Sequence, residues 1–185
     1  MLQIRQTFIS LYQSFFDHTG GSIFALDKLI IPVNITKLHW FAIVVDFRGK
    51  TITAYDSLPE DNTTGQDAYL SKVEKYLLGV EKRKEGQPDT YYGEGIIMPE
   101  GKWKRIPCKK GSGLAPRQVK GSNDCGVHLC LFMDLVMKDM EPRLLIDSTV
   151  NVTRFGRYAL CRAICMNKPI FGANLLKNDK PDVNS

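Results

Sequence analysis

The sequence from residue 39 to residue 56 is HWFAIVVDFRGKTITAYD, with an apolar run on either side of Arg48-Gly49. This pattern is typical of an antiparallel β-hairpin, and a two-residue turn at Arg48-Gly49 pairs each residue i with residue 97 − i. Side chains alternate across a strand, so this register predicts one fully apolar face and one mixed face. The apolar face contains Phe41, Ile43, Val45, Ile52 and Ala54, and the mixed face contains Ala42, Val44, Asp46, Thr51 and Thr53.

The same register brings His39 close to Asp56. Phe41 faces Asp56 across the hairpin, and His39 lies on the same face as Phe41, so His39 is a diagonal neighbour of Asp56. Diagonal neighbours are about 7–8 Å apart between backbones, a distance that an imidazole and a carboxylate can bridge. The hairpin therefore predicts a His39–Asp56 pair.

Hydrophobic periodicity elsewhere predicts helices and one further strand. The helices are expected over residues 4–18, 69–80, 125–140 and 152–166, and the strand over residues 28–33. Residues 86–113 are rich in Gly, Pro and Lys and predict a loop or a weak edge hairpin with Trp103 as an anchor. We expect a single domain over residues 1–172 and a flexible tail over residues 173–185.

Composition excludes several classes of protein. The 185 residues are 43% apolar and 24% charged, which is typical of a globular domain. No apolar run approaches the roughly 18 residues of a membrane span, and the first residues do not form a secretory signal, so we expect an intracellular protein of the nucleus or cytoplasm. The five cysteines are an odd number, which favours free thiols. Residues 101–120 hold seven basic residues and no acidic ones, which indicates either a solvated loop or a preference for an acidic partner.

Cys125 is the candidate nucleophile. Asn123-Asp124 can cap a helix that begins near Cys125, and a helix amino terminus stabilises a thiolate through its amide groups and dipole. Gly126 leaves space beside the sulfur. The other four cysteines lack this setting.

A thiolate that attacks a carbonyl group needs a base, a group that orients the base, and donors for the oxyanion. We expect His39 to be the base, Asp56 the orienting carboxylate, and Gln118 an oxyanion donor beside the thiol's own backbone amide. His128 and His18 are weaker candidates for the base, because His128 is on the same helix as the thiol and His18 has no evident carboxylate partner.

A zinc site is the alternative use of the cysteines. Cys125 and Cys130 form one pair, and Cys161 and Cys165 another. Neither spacing matches the C-x2-C pattern of zinc knuckles, and both pairs lie in predicted helices. We therefore expect no metal and no cofactor.

These residues carry a resemblance to a known family. The motifs are HWFAIVVD at residues 39–46, TITAYDSL at residues 51–58, Gln118, and NDCGV at residues 123–127. In this order and spacing they resemble the ubiquitin-like-protein-specific cysteine proteases, the SUMO proteases, of the adenovirus-protease-like clan. The resemblance covers about residues 29–140. It implies an α+β papain-like architecture, with the nucleophile on a central helix packed on a mixed or antiparallel sheet.

The resemblance also implies roles for individual residues. Cys125 corresponds to the nucleophile, His39 to the general base and acid, Asp56 to the orienting carboxylate and Gln118 to the oxyanion donor. Trp40 corresponds to the residue that lines a narrow channel for a Gly-Gly carboxyl terminus. The implied reaction is hydrolysis of a peptide or isopeptide bond after that Gly-Gly through a thioester.

The implied partners are SUMO or another ubiquitin-like protein and its conjugates. A membrane or nucleic acid is not expected as a partner, and the chain is expected to be a monomer. Three alternatives remain open: a deubiquitinase, an acetyltransferase of the same clan, and an inactive module that binds a modifier. Clan acetyltransferases usually carry Glu where this chain has Asp56, which argues against the second alternative.

The sequence departs from the family pattern in three places. Nothing before His39 matches the family's upstream Trp-Leu-Asn-Asp-like motif, so we expect a truncated amino-terminal part. Gln118 lies seven residues before Cys125, where the family more often has six. The interval between Asp56 and Cys125 is long because of the 86–113 stretch.

Overall fold

A computed structural model describes residues 23–85, 101–146 and 151–166. In these residues a four-stranded sheet has the order β1-β2-β3-β4. The strands are β1 (Lys28–Ile35), β2 (His39–Asp46), β3 (Thr51–Tyr55) and β4 (Lys104–Ile106). The helices are α1 (Pro59–Glu85), α2 (Cys125–Met137) and α3 (Val152–Met166), with 3-10 turns at Ile23–Ala25 and Pro142–Leu145. The first three strands are antiparallel and β4 is parallel to β3, so the expected α+β class with a mixed sheet is confirmed.

The predicted hairpin register is correct, although the loop is longer than predicted. Ile43 lies opposite Ala54, and Val45 lies opposite Ile52, as the 97 − i rule requires. The strands stop at Asp46 and resume at Thr51, so four residues rather than two connect them. The reason is local: Asp46 Oδ1 accepts the Gly49 N–H at 2.8 Å, and the Phe47 N–H donates to the Asp27 carbonyl instead of across the hairpin. Because the loop extends equally on both sides, the register is unchanged.

The apolar face of the hairpin is fully buried, and the mixed face is buried over most of its length. The predicted apolar face packs with Leu70, Val73 and Leu77 of α1, and its five residues are fully buried. The mixed face is covered by α2, whose Phe132 ring lies 6.4 Å from the ring of Tyr55. The sheet therefore lies between α1 and α2, and His39 and Asp56 lie at one end of its central hairpin.

The short strand β4 extends the sheet at its edge. The predicted anchor Trp103 is buried, and its ring packs edge-to-face on Phe47 at 5.9 Å. The Lys104 N–H donates to the Lys50 carbonyl at 2.8 Å, which begins the parallel pairing of β4 with β3. The sequence predicted at most a hairpin here, because parallel pairing with a distant strand leaves no local pattern.

Three predictions lie outside the described residues: the helix over residues 4–18 with His18, the first part of the 86–113 stretch, and the tail over residues 173–185. Within residues 23–85, 101–146 and 151–166, no helix has both the length and the apolar character that crossing a membrane requires.

The bounds of α3 agree with the prediction, and α3 packs closely on α2 through Gly156. A Cβ atom at Gly156 would lie 2.7 Å from both Leu131 Cδ1 and Val127 Cγ1. We expect Gly156→Ala to destabilise the protein, because overpacking typically costs about 1–3 kcal/mol and exceeds the roughly 0.5–1 kcal/mol that Ala gains over Gly in a helix. Urea unfolding measures this change.

The matched control is Gly79→Ala in α1, where no described residue lies within 4 Å of the added Cβ. There only the helix preference acts, and we expect a gain of roughly 0.5–1 kcal/mol. Equal gains in the two variants would contradict the close packing of α3 on α2.

Candidate active site

The structure joins His39 and Asp56 directly. His39 Nε2 lies 2.8 Å from Asp56 Oδ1, which confirms the pair predicted from the hairpin register. Asp56 is fully buried, and His39 is 8% exposed. Water is thus largely excluded from the bond, which strengthens it.

The Asp56 carboxylate accepts two further hydrogen bonds. The Leu58 N–H donates to Oδ1 at 2.8 Å, and Gln66 Nε2 donates to Oδ2 at 2.6 Å. A carboxylate that accepts several N–H bonds in a buried site is held in one orientation. Asp56 therefore presents a fixed oxygen to His39.

The bond at Nε2 determines which imidazole nitrogen is left for chemistry. In a neutral imidazole one nitrogen donates and the other accepts. If Nε2–H donates to Asp56, His39 Nδ1 carries the lone pair that can take a proton from a thiol. This is the role that a general base beside a nucleophile requires.

Cys125 is the first residue of α2, as predicted, and it is 8% exposed. The helix packs against β2, the strand that begins with His39. Within the described part of the chain the Cys125 sulfur makes no side-chain hydrogen bond, so the structure does not join it to His39 in the way that it joins His39 to Asp56. Among described residues, nothing lies within 4 Å of a Cβ built at Gly126, in keeping with the predicted space beside the sulfur.

Asp124 occupies the predicted capping position, but its side chain makes no capping hydrogen bond. Arg157 of α3 binds the carboxylate instead, with Nε 3.1 Å from Oδ1. This guanidinium lowers the pKa of Asp124 below its ordinary value. Asp124 is thus the N-cap residue, in agreement with the prediction, but its side chain does not bond to the amide groups at the amino terminus of α2.

Gln118 is tied to the segment that carries Asp56. Its backbone N–H donates to the Ser57 carbonyl at 3.1 Å, and its Oε1 accepts the Ser57 hydroxyl at 2.7 Å. Its Nε2 donates to the Ser122 carbonyl at 2.8 Å. A primary amide has two N–H groups, so one remains for an oxyanion.

Apolar side chains are exposed beside these residues. Trp40, next to His39, is 40% exposed, and Leu38 is more exposed still. Val119, next to Gln118, is also exposed. Such exposed apolar groups beside a site are typical of a surface that contacts a ligand.

Another candidate base and two other thiols lie in different environments. His128 is fully buried in α2, its Nε2 lies 3.2 Å from Thr153 Oγ1, and burial lowers its pKa to about 4. Burial raises the pKa of the Cys108 and Cys130 thiols. Across the described residues, no group of three or more His, Cys, Asp or Glu side chains could hold a metal ion.

Sequence reasoning missed Gln66, although a signal was present. Gln66 precedes Leu70, Val73 and Leu77 by four, seven and eleven residues, so it lies on the buried stripe of α1. A polar residue on an apolar stripe needs a hydrogen-bond partner, and here that partner is Asp56.

The fold and the site define an α+β protein with a buried histidine–aspartate pair and a cysteine at a helix amino terminus. The model of the Ulp1 protease family, C-terminal catalytic domain, matches residues 6–157. The chain belongs to this family.

Relatives agree with this assignment. The chain is 26% identical over 106 residues to ubiquitin-like-specific protease 1 of Saccharomyces cerevisiae, and the aligned region covers 57% of the chain and 14% of that protein. It is 31% identical over 121 residues to a sentrin-specific protease of Caenorhabditis elegans, which covers 65% of the chain and 15% of that protein. The matches thus span about one seventh of the length of these relatives.

Solved structures share the fold. The SUMO protease Ulp1 with its catalytic cysteine oxidised to a sulfenic acid aligns with a TM-score of 0.60 and 22% identity, over 83% of this chain and 59% of that one. The C-terminal Ulp1 protease domain in complex with Smt3, the yeast orthologue of SUMO, aligns with a TM-score of 0.59 and 22% identity, over 84% and 59%.

Proposed function

We propose that this chain is a thiol peptidase and isopeptidase that cleaves after the Gly-Gly carboxyl terminus of SUMO or a related ubiquitin-like modifier. The observation that carries the proposal is the buried 2.8 Å bond between His39 and Asp56, in a family member whose Cys125 begins the helix packed on the same strand. A base that is oriented in this way serves the chemistry of a thiol nucleophile.

The proposed reaction has two halves. Cys125 gives its proton to His39 Nδ1, and the thiolate attacks the carbonyl carbon of the last glycine. The proton then passes from His39 to the leaving amine, the C–N bond breaks, and a thioester remains. Water attacks the thioester with His39 as base, which releases the carboxylate and restores the thiol.

Two donors are proposed for the oxyanion of each tetrahedral intermediate. One is the Cys125 backbone N–H at the start of α2, and the other is the second N–H of Gln118 Nε2. The three hydrogen bonds that hold Gln118 support this role, because a preorganised donor needs no reorientation during the reaction.

The substrate class follows from the family and from the exposed Trp40. One of the similar structures is a complex with Smt3, the yeast orthologue of SUMO, and that supports SUMO as the modifier. In the proposed complex the indole of Trp40 lies against the Gly-Gly tail, where any larger side chain would clash. We place this activity inside the cell, in the nucleus or cytoplasm, and assign it to a monomer.

The basic segment, residues 101–120, supplies a candidate docking surface. Its seven basic side chains are exposed: Lys102, Lys104, Arg105, Lys109, Lys110, Arg117 and Lys120. In the proposed complex this surface faces acidic side chains of the modifier or its conjugate, which would accelerate association at low salt.

Covalent trapping tests the proposal. SUMO, ubiquitin and a third ubiquitin-like modifier, each with a carboxyl-terminal vinyl sulfone, are incubated with the wild type, with Cys125→Ala and with Cys130→Ala. We expect a SUMO adduct with the wild type and with Cys130→Ala, and none with Cys125→Ala. Cys130 is the matched control because it is a partly buried thiol of the same helix.

Each other result would change the proposal in a defined way. An adduct with ubiquitin alone would retain the chemistry and overturn the choice of SUMO. An adduct that persists in Cys125→Ala would overturn the nucleophile. Absence of any adduct from folded wild-type protein would overturn the peptidase.

A further inference from the structure

Gln66 connects the Asp56 carboxylate to a distant part of the backbone. Gln66 Nε2 donates to Asp56 Oδ2 at 2.6 Å, and Gln66 Oε1 accepts the Cys108 N–H at 3.0 Å. Gln66 is fully buried in α1. A single side chain thus joins α1, the end of β3 and the segment after β4.

The second bond fixes the direction of the first. An amide side chain can rotate to exchange its oxygen and nitrogen, and the partners decide which orientation is stable. The Cys108 N–H can only donate, so it requires the Gln66 oxygen. The Gln66 NH2 group is therefore directed at Asp56, where it can only donate.

We propose that Gln66 is a positioning residue, which holds Asp56 Oδ2 so that Oδ1 faces His39 in the orientation that the reaction needs. This role rests on the proposed peptidase function. Without the Gln66 bond, Oδ2 would be a buried acceptor with no hydrogen-bond partner among the described residues, and the carboxylate could rotate away from His39.

Within the part of the chain that the structure describes, few ionisable groups contact Asp56 and Gln66. His39 of β2 contacts Oδ1, and the Cys108 thiol, from the segment after β4, donates to the Asp56 backbone carbonyl at 3.5 Å. The burial that raises the pKa of Cys108 keeps this thiol neutral at ordinary pH. An acidic group introduced at position 66 would thus act mainly on Asp56 and through it on His39.

Gln66→Glu gives the most informative test. The introduced carboxyl group can still accept the Cys108 N–H, but when it is ionised it repels Asp56 instead of donating to it. Two carboxyl groups that share a site hold a proton to higher pH, and the protonated group can again donate to Asp56. We expect kcat, relative to the wild type, to fall about 100-fold at pH 8 and to recover about 10-fold towards pH 5.5.

Two further variants separate positioning from general damage. Gln66→Ala removes the donor without adding a charge, and we expect kcat to fall about 10-fold at every pH with KM changed less than about 2-fold. Ala68→Glu adds a carboxylate on the exposed side of the same helix, and we expect the wild-type rate throughout. Cleavage of a carboxyl-terminal fluorogenic SUMO substrate, followed from pH 8 to pH 5.5, provides all three comparisons.

The positioning role is overturned if the ratio of Gln66→Glu to wild-type activity does not depend on pH, or if Gln66→Ala keeps the wild-type kcat. Failure of the peptidase proposal is recognised separately, as a wild type that cleaves no substrate and reacts with no probe. In that case the positioning role of Gln66 is tested by NMR, through the proton shared between His39 and Asp56. Its downfield resonance is expected in the wild type and lost in Gln66→Ala, and its persistence would overturn the inference.

Discussion

Asp56→Asn is expected to lower kcat for SUMO cleavage by about three orders of magnitude, because no orientation of an amide can replace the carboxylate at this position. Both oxygens of Asp56 accept from N–H donors: His39 and Leu58 at Oδ1, and Gln66 at Oδ2. An Asn side chain must direct its NH2 group at one of these donors. Rotation of the Gln66 amide does not relieve the conflict, because the Gln66 oxygen is needed by the Cys108 N–H.

The matched control is Asp46→Asn. The Asp46 carboxylate accepts the Gly49 N–H through Oδ1, and an Asn oxygen can accept the same bond. We expect this variant to retain kcat within about 2-fold, as is usual for a substitution away from the reacting groups. Activity and thermal unfolding are measured on both variants, so that the loss of rate is assigned only to folded protein.

A double variant that combines Asp56→Asn with Gln66→Ala tests whether the two side chains act through the same hydrogen bonds. If the two residues act through one hydrogen-bonded unit, the double variant is little slower than Asp56→Asn alone, because residues that act as a unit are not additive. A double variant whose loss is the product of the two single losses would show that Gln66 and Asp56 act independently. An Asp56→Asn variant with near wild-type kcat would contradict the role of the carboxylate itself.

The hairpin and the His39–Asp56 pair were predictable because their information is local. An alternation of period two over residues 39–56 defines which side chains share a face, and Arg48-Gly49 defines where the chain reverses. A change of the loop by one residue would place His39 and Asp56 on opposite faces. The observed loop has four residues instead of two, and the pair survives because the loop grew symmetrically.

The rest of the site depends on contacts between distant residues. Asp124 looked like a helix cap, but Arg157, 33 residues further along the chain, takes its carboxylate. The role of Gln66 depends on its hydrogen bonds to Asp56 and to Cys108, which is 42 residues away. Such pairings have no spacing rule in one sequence, because they follow from how α1, α3 and β4 pack on the sheet.

His128 is expected to make the protein sensitive to mild acid. Its imidazole is fully buried, and burial lowers its pKa from 6.5 to about 4 although the nearby Asp124 carboxylate acts in the opposite direction. Its Nε2 contacts Thr153 of α3, its ring packs on Phe132 at 5.8 Å, and Nδ1 has no partner within the described residues. The free-energy cost of placing a proton on this buried ring would thus be offset by few hydrogen bonds.

The direction of the pH effect follows from the two protonation states. Below pH 6.5 the unfolded chain binds a proton at His128, and the folded protein does not bind it until the pH approaches about 4. The contribution of neutral His128 to stability is therefore complete above pH 6.5 and is lost as the pH falls to about 4. A shift of this size corresponds to roughly 3 kcal/mol, a large part of the 5–15 kcal/mol typical of a domain.

His128→Gln isolates this contribution, because Gln has a similar volume, can still bond to Thr153 and does not titrate. We expect the free energy of unfolding in urea to fall between pH 7 and pH 4.5 by about 2 kcal/mol more in the wild type than in the variant. Both proteins keep His39 and all carboxylates, so the difference between them belongs to His128 alone. The Asp124 carboxylate has a lowered pKa, so the stability that it contributes is lost only at pH values below this range. Parallel pH dependences in the two proteins would show that His128 has the same pKa in the folded and unfolded states, which would contradict a neutral imidazole buried between α2 and α3.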